Sequence, residues 1–189
     1  MKLNLGCGQN KIQGFINIDK YQECAPDKVM DLEKFPWSFE SDSVDEIRLN
    51  HVLEHLGSDT EVFFSIIQEI YRVCKNKSIV QINVPHPRHN NFINDPTHVR
   101  IVTPEIISLF SKKNCLHWKK INAANSPLAL YLNVDLELVE KTFVISEKYL
   151  ELLNNGSISK HELATLIDER NNIVEEIRMK VQINKEDSK

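Results

Sequence analysis

The 189-residue chain carries 23 basic against 27 acidic side chains, a formal net charge of −4, so it has no general cationic field with which to hold a nucleic-acid backbone. Hydrophobic residues make up 41% and charged residues 26%, an ordinary balance for one globular domain, and no apolar run is long enough to cross a bilayer. Four scattered cysteines, Cys7, Cys24, Cys74 and Cys115, form no C-x-x-C pair and argue against a disulfide-built secreted fold.

The amino terminus enters a strand pattern at once, with no signal-peptide apolar region, so the expected location is the cytoplasm. β-like runs over Lys2 to Gly6, Gly14 to Asp19, Lys28 to Leu32, Val44 to Asn50 and Ser78 to Pro85 alternate with helical or turn-rich stretches. That alternation predicts an α/β fold, a mostly parallel sheet with helices on both faces. The run from Ser78 to Pro85 reads as a buried central strand, because its β-branched residues end at a proline that cannot extend the ladder.

Ser58 and Glu61 fit an S-x-x-E capping box, and Phe63, Ile66, Ile67, Ile70 and Cys74 recur at helical spacing behind it. Thr103 followed by Pro104 predicts a short helix running to about Lys112. Val134, Leu136 and Leu138 alternate with acids, and Ile177, Met179, Val181 and Ile183 with polar residues, which gives two half-buried strands. Between them one helix ends near Gly156 and a second opens at the Ser159/Glu162 capping box. Residues 1–184 then form a single domain, with a two-helix insertion at about 147–171 and a polar tail at 185–189.

Gly6 and Gly8 directly follow the first apolar run, where glycine allows a sharp turn and lets a ligand approach the backbone. Asp19 ends the next run, the place where a Rossmann-type site sets a carboxylate against ribose hydroxyls. The same residues also fit an ordinary strand-to-loop turn and a solvated strand end. A dinucleotide site prefers a third glycine for the pyrophosphate, and position 10 is Asn10, which weakens a nicotinamide cofactor.

Taken together, LNLGCG, FINID, VMDLEKFPW and SVDEIRLNHVLEHL resemble, in order and spacing, the class I S-adenosylmethionine (SAM)-dependent methyltransferases, in particular the bacterial methyltransferase-domain (type 11-like) group with its HVLEHL segment. The resemblance implies a Rossmann-like sheet of seven strands, with an antiparallel last strand, and SAM as cofactor, leaving as S-adenosylhomocysteine. It implies that Gly6, Cys7 and Gly8 wrap the methionine part, that Asp19 takes the ribose hydroxyls, and that Asp31 and Leu32 flank adenine. Asn50 and His51 would lie beside the sulfonium. Asn4 departs from the pattern, since the family often has an acid there to hold the SAM amino group, and an amide adds no charge.

For Glu54 and His55, local capping or pairing is the preferred reading, and for Phe35, Pro36 and Trp37 it is loop packing. The stretch from Val84 to Pro104, rich in histidine, asparagine and proline, reads as an active-site loop after the fifth strand. Similar methyltransferases carry a comparable D-P-T-H-x-R stretch here, which nominates Asp95, His98 and Arg100, with His51, as catalytic. His98 is suited to accept a proton, Asp95 to orient it or a substrate amine, and Arg100 to clamp an anion. Closure of the loop on itself by the same three residues is the competing reading. His86, His89 and His98 offer a metal reading, but without cysteine or an H-x-x-x-H spacing in that loop no metal is assigned.

The function expected is methyl transfer to an O or N atom of a small-molecule or saccharide-type acceptor, with no nucleic acid or membrane as partner. The two late helices are candidates to cover the substrate or to make a homodimer contact. The competing functions are a catalytically inactive SAM-binding partner or sensor protein and a nicotinamide-dependent reductase on the same sheet.

Overall fold

A computed structural model of the chain describes residues 1–185, and in it the alternation resolves into one seven-stranded sheet of order β3-β2-β1-β4-β5-β7-β6. The strands are β1 (Lys2–Leu5), β2 (Ile16–Asp19), β3 (Lys28–Val29), β4 (Val44–Asn50), β5 (Cys74–Pro85), β6 (Leu136–Ile145) and β7 (Val174–Ile183). β1 to β5 pair in parallel, and β7 runs antiparallel to both β5 and β6. This is the Rossmann-like arrangement with a reversed last strand that the family resemblance implied.

Register explains the two faces. Leu5 pairs with Ile18 and Leu49, Leu49 with Ile82, and Ile82 with Met179, a continuous apolar row. Helix α1 (Thr60–Val73) buries Phe63, Ile66, Ile67 and Ile70 in the core that this row shares. Behind β5 follow α2 (Asn90–Ile93), α3 (Pro104–Ser108), α4 (Lys112–Lys120) and α5 (Leu128–Leu132). Phe110, between α3 and α4, meets the rings of Phe63 and Phe64 edge-on, so these segments pack beside α1.

Helical cover is uneven, however. The alternate row, Asn17, Asn4, Arg48, Gln81 and Lys180, is polar, because residues one step along a strand point to the opposite face. There the loop between β1 and β2 takes the place of a helix, and Phe15 lies under the cations of Lys2 and Arg48 at 5.5 and 4.9 Å. β5 is therefore half-buried along Ile79, Gln81 and Asn83, rather than covered on both sides.

Several boundaries differ from the sequence-based expectation: β3 stops at Val29 rather than Leu32, Cys74, read with the helix, opens β5, and β6 begins at Leu136 rather than Val134. The cap of α1 is Asp59 and not Ser58: its carboxylate accepts from the Glu61 and Val62 amides at 2.8 and 3.4 Å. The helix expected to run from Thr103 to about Lys112 breaks after Ser108, and α4 restarts with Ser111 as its own cap. The Ser159/Glu162 capping box is formed and opens α7 (Lys160–Glu169), after α6 (Glu147–Asn154). Lys185, assigned to the tail, is anchored instead, its amide donating to Asn76 Oδ1 and its ammonium to Asp42. The rest of that assignment, 186–189, lies outside the described residues.

Candidate functional site

The strand order reverses between β1 and β4, and open α/β sheets bind ligands at the carboxyl ends of the strands beside such a switch point. Gly6 turns the chain there with φ +64°, and a Cβ on it would stand 2.6 Å from a Val52 methyl. Gly8 follows with φ +49° and donates its amide to Asp19 Oδ2 at 2.8 Å. The Tyr21 amide holds the other oxygen, Oδ1, at 3.0 Å, so two backbone donors orient the buried Asp19 carboxylate.

Gly6, Gly8 and Asp19 form one wall of a cavity of about 420 Å³, and Met30, Asp31, Leu32, Val52, His55 and Thr97 line the rest with their neighbours. Asp31 Oδ1 accepts the Glu33 amide at 3.0 Å, which fixes the turn after β3. Leu32 is buried, and its carbonyl accepts the Trp37 indole N–H, so Trp37 packs the loop as expected, while Phe35 is exposed. Cys24 is half-buried on the lining of the same cavity.

A second cavity, of about 580 Å³, meets the first at Gly6, Gly8 and His51. Asn4, Cys7, Asn50, Gln81 and Asn83 line it. The Asn4 amide nitrogen is committed to the Asn10 carbonyl and to Asn17 Oδ1, both at 2.9 Å, so Asn4 ties the turn together. Asn50 Oδ1 accepts from the Asn83 amide at 3.0 Å. His51, at φ +55°, points Nε2 to Glu176 at 2.6 Å and Nδ1 to Glu54 at 3.5 Å. Glu54, and with it Glu176, raises the His51 pKa above the ordinary histidine value against the opposing effect of burial.

The loop after β5 folds back on the HVLEHL segment, the Val99 and Arg100 amides donating to the Glu54 carbonyl at 2.9 and 3.1 Å. Asp95, His98 and Arg100 are thereby brought close to it, but they line neither cavity. Arg100 donates to the Gly57 carbonyl and lies 4.2 Å from the Phe63 ring centroid. The His98 side chain is 6% exposed, its Nδ1 2.8 Å from the Phe92 carbonyl, and Asp95 accepts from Thr97.

The histidine grouping considered from the sequence is corrected. His86 accepts the Arg88 amide and His89 caps α2, and the metal-capable group found among the described residues is Glu54, His55 and His98. Glu54 and His55 were read as local pairing, and Glu54 does face His51 Nδ1 at 3.5 Å while His55 meets Thr97 of the later loop; Glu54 is nonetheless 0% exposed, and among the described residues neither carboxylate oxygen has a hydrogen-bond partner. The available signal was the H-x-x-E-H spacing from His51 to His55, a zinc-site pattern in some hydrolases. Here it falls on a 3-10 turn, Leu53–His55, and the third group comes from the later loop.

A further cavity, of about 630 Å³, lies at the opposite strand ends among Asp42, Arg72 and Lys185. Lys185 pairs with Asp42 there, and Arg72 with Glu69, so those charges are structural.

No protein-family model and no curated protein matches the chain. Solved structures do. A SAM-dependent methyltransferase from Archaeoglobus fulgidus superposes with TM-score 0.57 at 20% identity, over 96% of this chain and 85% of that one. The [4+2]-cyclase SpnF gives 0.54 at 14% identity, over 97% and 75%. The 1,6-didemethyltoxoflavin-N1-methyltransferase of Burkholderia thailandensis, with 1,6-didemethyltoxoflavin and S-adenosylhomocysteine bound, gives 0.52 at 10% identity, over 97% and 71%. The chain has the class I SAM-dependent methyltransferase fold, and the presence of a cyclase among these structures shows that the fold does not dictate the reaction.

Proposed function

We propose that the protein is a SAM-dependent methyltransferase acting on an O or N atom of a small-molecule or saccharide-type acceptor. The observation that carries this reading is the Asp19 carboxylate, preset by the Gly8 and Tyr21 amides at the wall of the 420 Å³ cavity beside the switch point. The adenosine part belongs in that cavity, with the ribose on Asp19 and adenine between Asp31 and Leu32. Gly6, Cys7 and Gly8 then wrap the methionine part, and Asn4 supports it by holding the turn.

The methyl group is delivered where the two cavities meet, at His51 beside Asn50. The amides of Asn50, Gln81 and Asn83 in the second cavity suit a hydroxyl-bearing acceptor, which favours the saccharide-type class. His51 is the group facing the transfer point, and Asp95, His98 and Arg100 serve the reaction through the loop they hold.

Isothermal titration with SAM, S-adenosylhomocysteine and NADH, on the wild type and on Asp19→Ala, tests the cofactor reading. Binding of the first two only, lost in the variant, is the expected result. Transfer from methyl-labelled SAM to a panel of sugars and amines then tests the acceptor class, and His51→Ala is expected to lose turnover at least tenfold while still binding S-adenosylhomocysteine. Binding of NADH alone would replace this reading with the reductase.

A further inference from the structure

The Glu54 carboxylate has been taken out of water at considerable cost, since a buried charge is tolerated only when paired, hydrogen-bonded or bound to a metal. Among the described residues neither of its oxygens has a hydrogen-bond partner, and the cation nearest in the ion pairs, His51 Nδ1, stands off at 3.5 Å. One carboxylate oxygen and one ring nitrogen from each of His55 and His98 all lie within 4.8 Å of one another. The two imidazoles sit with ring centroids 4.5 Å apart.

The surrounding hydrogen bonds fix both tautomers. His98 Nδ1 faces the Phe92 carbonyl at 2.8 Å, and a carbonyl only accepts, so Nδ1 carries the proton. Thr97 spends its hydroxyl proton on Asp95 Oδ1 at 2.6 Å, so its oxygen accepts from His55 Nδ1 at 2.9 Å. On each neutral ring Nε2 then keeps the lone pair, that of His98 lying 3.8 Å from Asp95 Oδ2, beyond hydrogen-bond distance. An imidazole whose other nitrogen donates to a carbonyl, or to a chain ending on a carboxylate, is the outer-shell pattern that orients metal-bound histidine.

We propose that Glu54, His55 and His98 hold a divalent transition-metal ion of the zinc type. Two imidazoles and one carboxylate select zinc or cobalt over magnesium or calcium, which take oxygen ligands. Metal bonds of about 2.0–2.2 Å require the three atoms, now within 4.8 Å of one another, to draw together by about 1 Å, and the two hydrogen bonds from the Val99 and Arg100 amides to the Glu54 carbonyl keep His98 in range for this. Three protein ligands leave a coordination position open, and His55 and Thr97 line the 420 Å³ cavity, so an exogenous oxygen or nitrogen donor completes the shell from that side. The site stands on its own residues and does not depend on the methyltransferase reading.

The test uses untagged full-length protein, stripped with EDTA, desalted and titrated with Zn²⁺ by calorimetry and with Co²⁺ by visible absorption. One ion per chain is expected, together with a Zn²⁺-dependent rise in Tm that EDTA reverses. Glu54→Gln and His98→Ala should each weaken binding at least tenfold, and His89→Ala should leave it unchanged. Circular dichroism establishes that each variant is folded, and the Tm response of the wild type needs no variant at all. Absence of one-to-one binding by the folded wild type, or binding undiminished in folded His98→Ala, would overturn the site. S-adenosylhomocysteine titrated into the same samples separates the two readings, because its binding without metal uptake sinks only the metal site, and the reverse sinks only the cofactor assignment.

Discussion

Gly6 is the residue on which the site turns most directly, through its own backbone and through Val52. Its φ of +64° is strained for any L side chain, and an added methyl would meet both Val52 methyls at 2.6 and 2.7 Å. Gly6→Ala is expected to cost roughly 1–3 kcal/mol in urea denaturation and to abolish S-adenosylhomocysteine binding, with Val52→Ala restoring part of the stability. Full stability in Gly6→Ala would mean that the turn relaxes freely. The cysteines give a second expectation. Burial pushes the Cys74 thiol up to about 12, so it stays protonated at pH 8, while Cys24 is half-buried on the cavity lining. Iodoacetamide followed by mass spectrometry should find Cys24 modified well before Cys74, and S-adenosylhomocysteine should slow that labelling. Equal labelling of Cys74 in the folded protein would contradict the burial argument.

Elements were legible where periodicity and chemistry agreed, and misplaced where two residues competed for one job. Ser58 and Asp59 are adjacent and both cap well, and the S-x-x-E spacing favoured Ser58, but the structure sets the carboxylate of Asp59 on the first free amides of α1. Asp59→Ala should therefore lower stability by about 1 kcal/mol, whereas Ser58→Ala should leave the urea midpoint unchanged. The reverse order of effects would restore the serine cap. Ser159 met no such rival and its box formed as read. The break between α3 and α4 was hidden because Ser108 to Lys112 carries no glycine or proline, and only the Ser111 cap marks it. The polar alternation of Glu46, Arg48, Gln81 and Asn83 did record the sparsely covered sheet face, while the alternation of strand-like and helical runs by itself pointed to helices on both faces.

At the scale of the molecule, the gathering of Gly6, Gly8, Asp19 and Asp31 around one cavity was readable because these residues sit at successive strand ends, where chain order maps directly to position. The Glu54, His55 and His98 group was not, since it joins segments more than 40 residues apart through a loop whose path no local pattern fixes. Charge gives the remaining expectation. Asp45 is held at about 2 by Lys75 and the amino terminus, while Arg72 and the Trp37 amide hold Glu69 below the usual carboxylate range although its burial acts the other way. A carboxylate with a depressed folded pKa contributes stability that is present above its unfolded value of about 4 and lost as pH falls through the folded value. The urea midpoint should thus fall steeply between about pH 4 and pH 2. Glu69→Gln isolates one contribution: it lacks the ion pair with Arg72 at 2.6 Å and should unfold earlier than the wild type at pH 7. As acid protonates Glu69 in the wild type, the two proteins become chemically alike at that position, and their midpoints should converge toward pH 2. A gap that persists unchanged at every pH would assign the effect of Glu69 to packing under Trp37 and not to its charge.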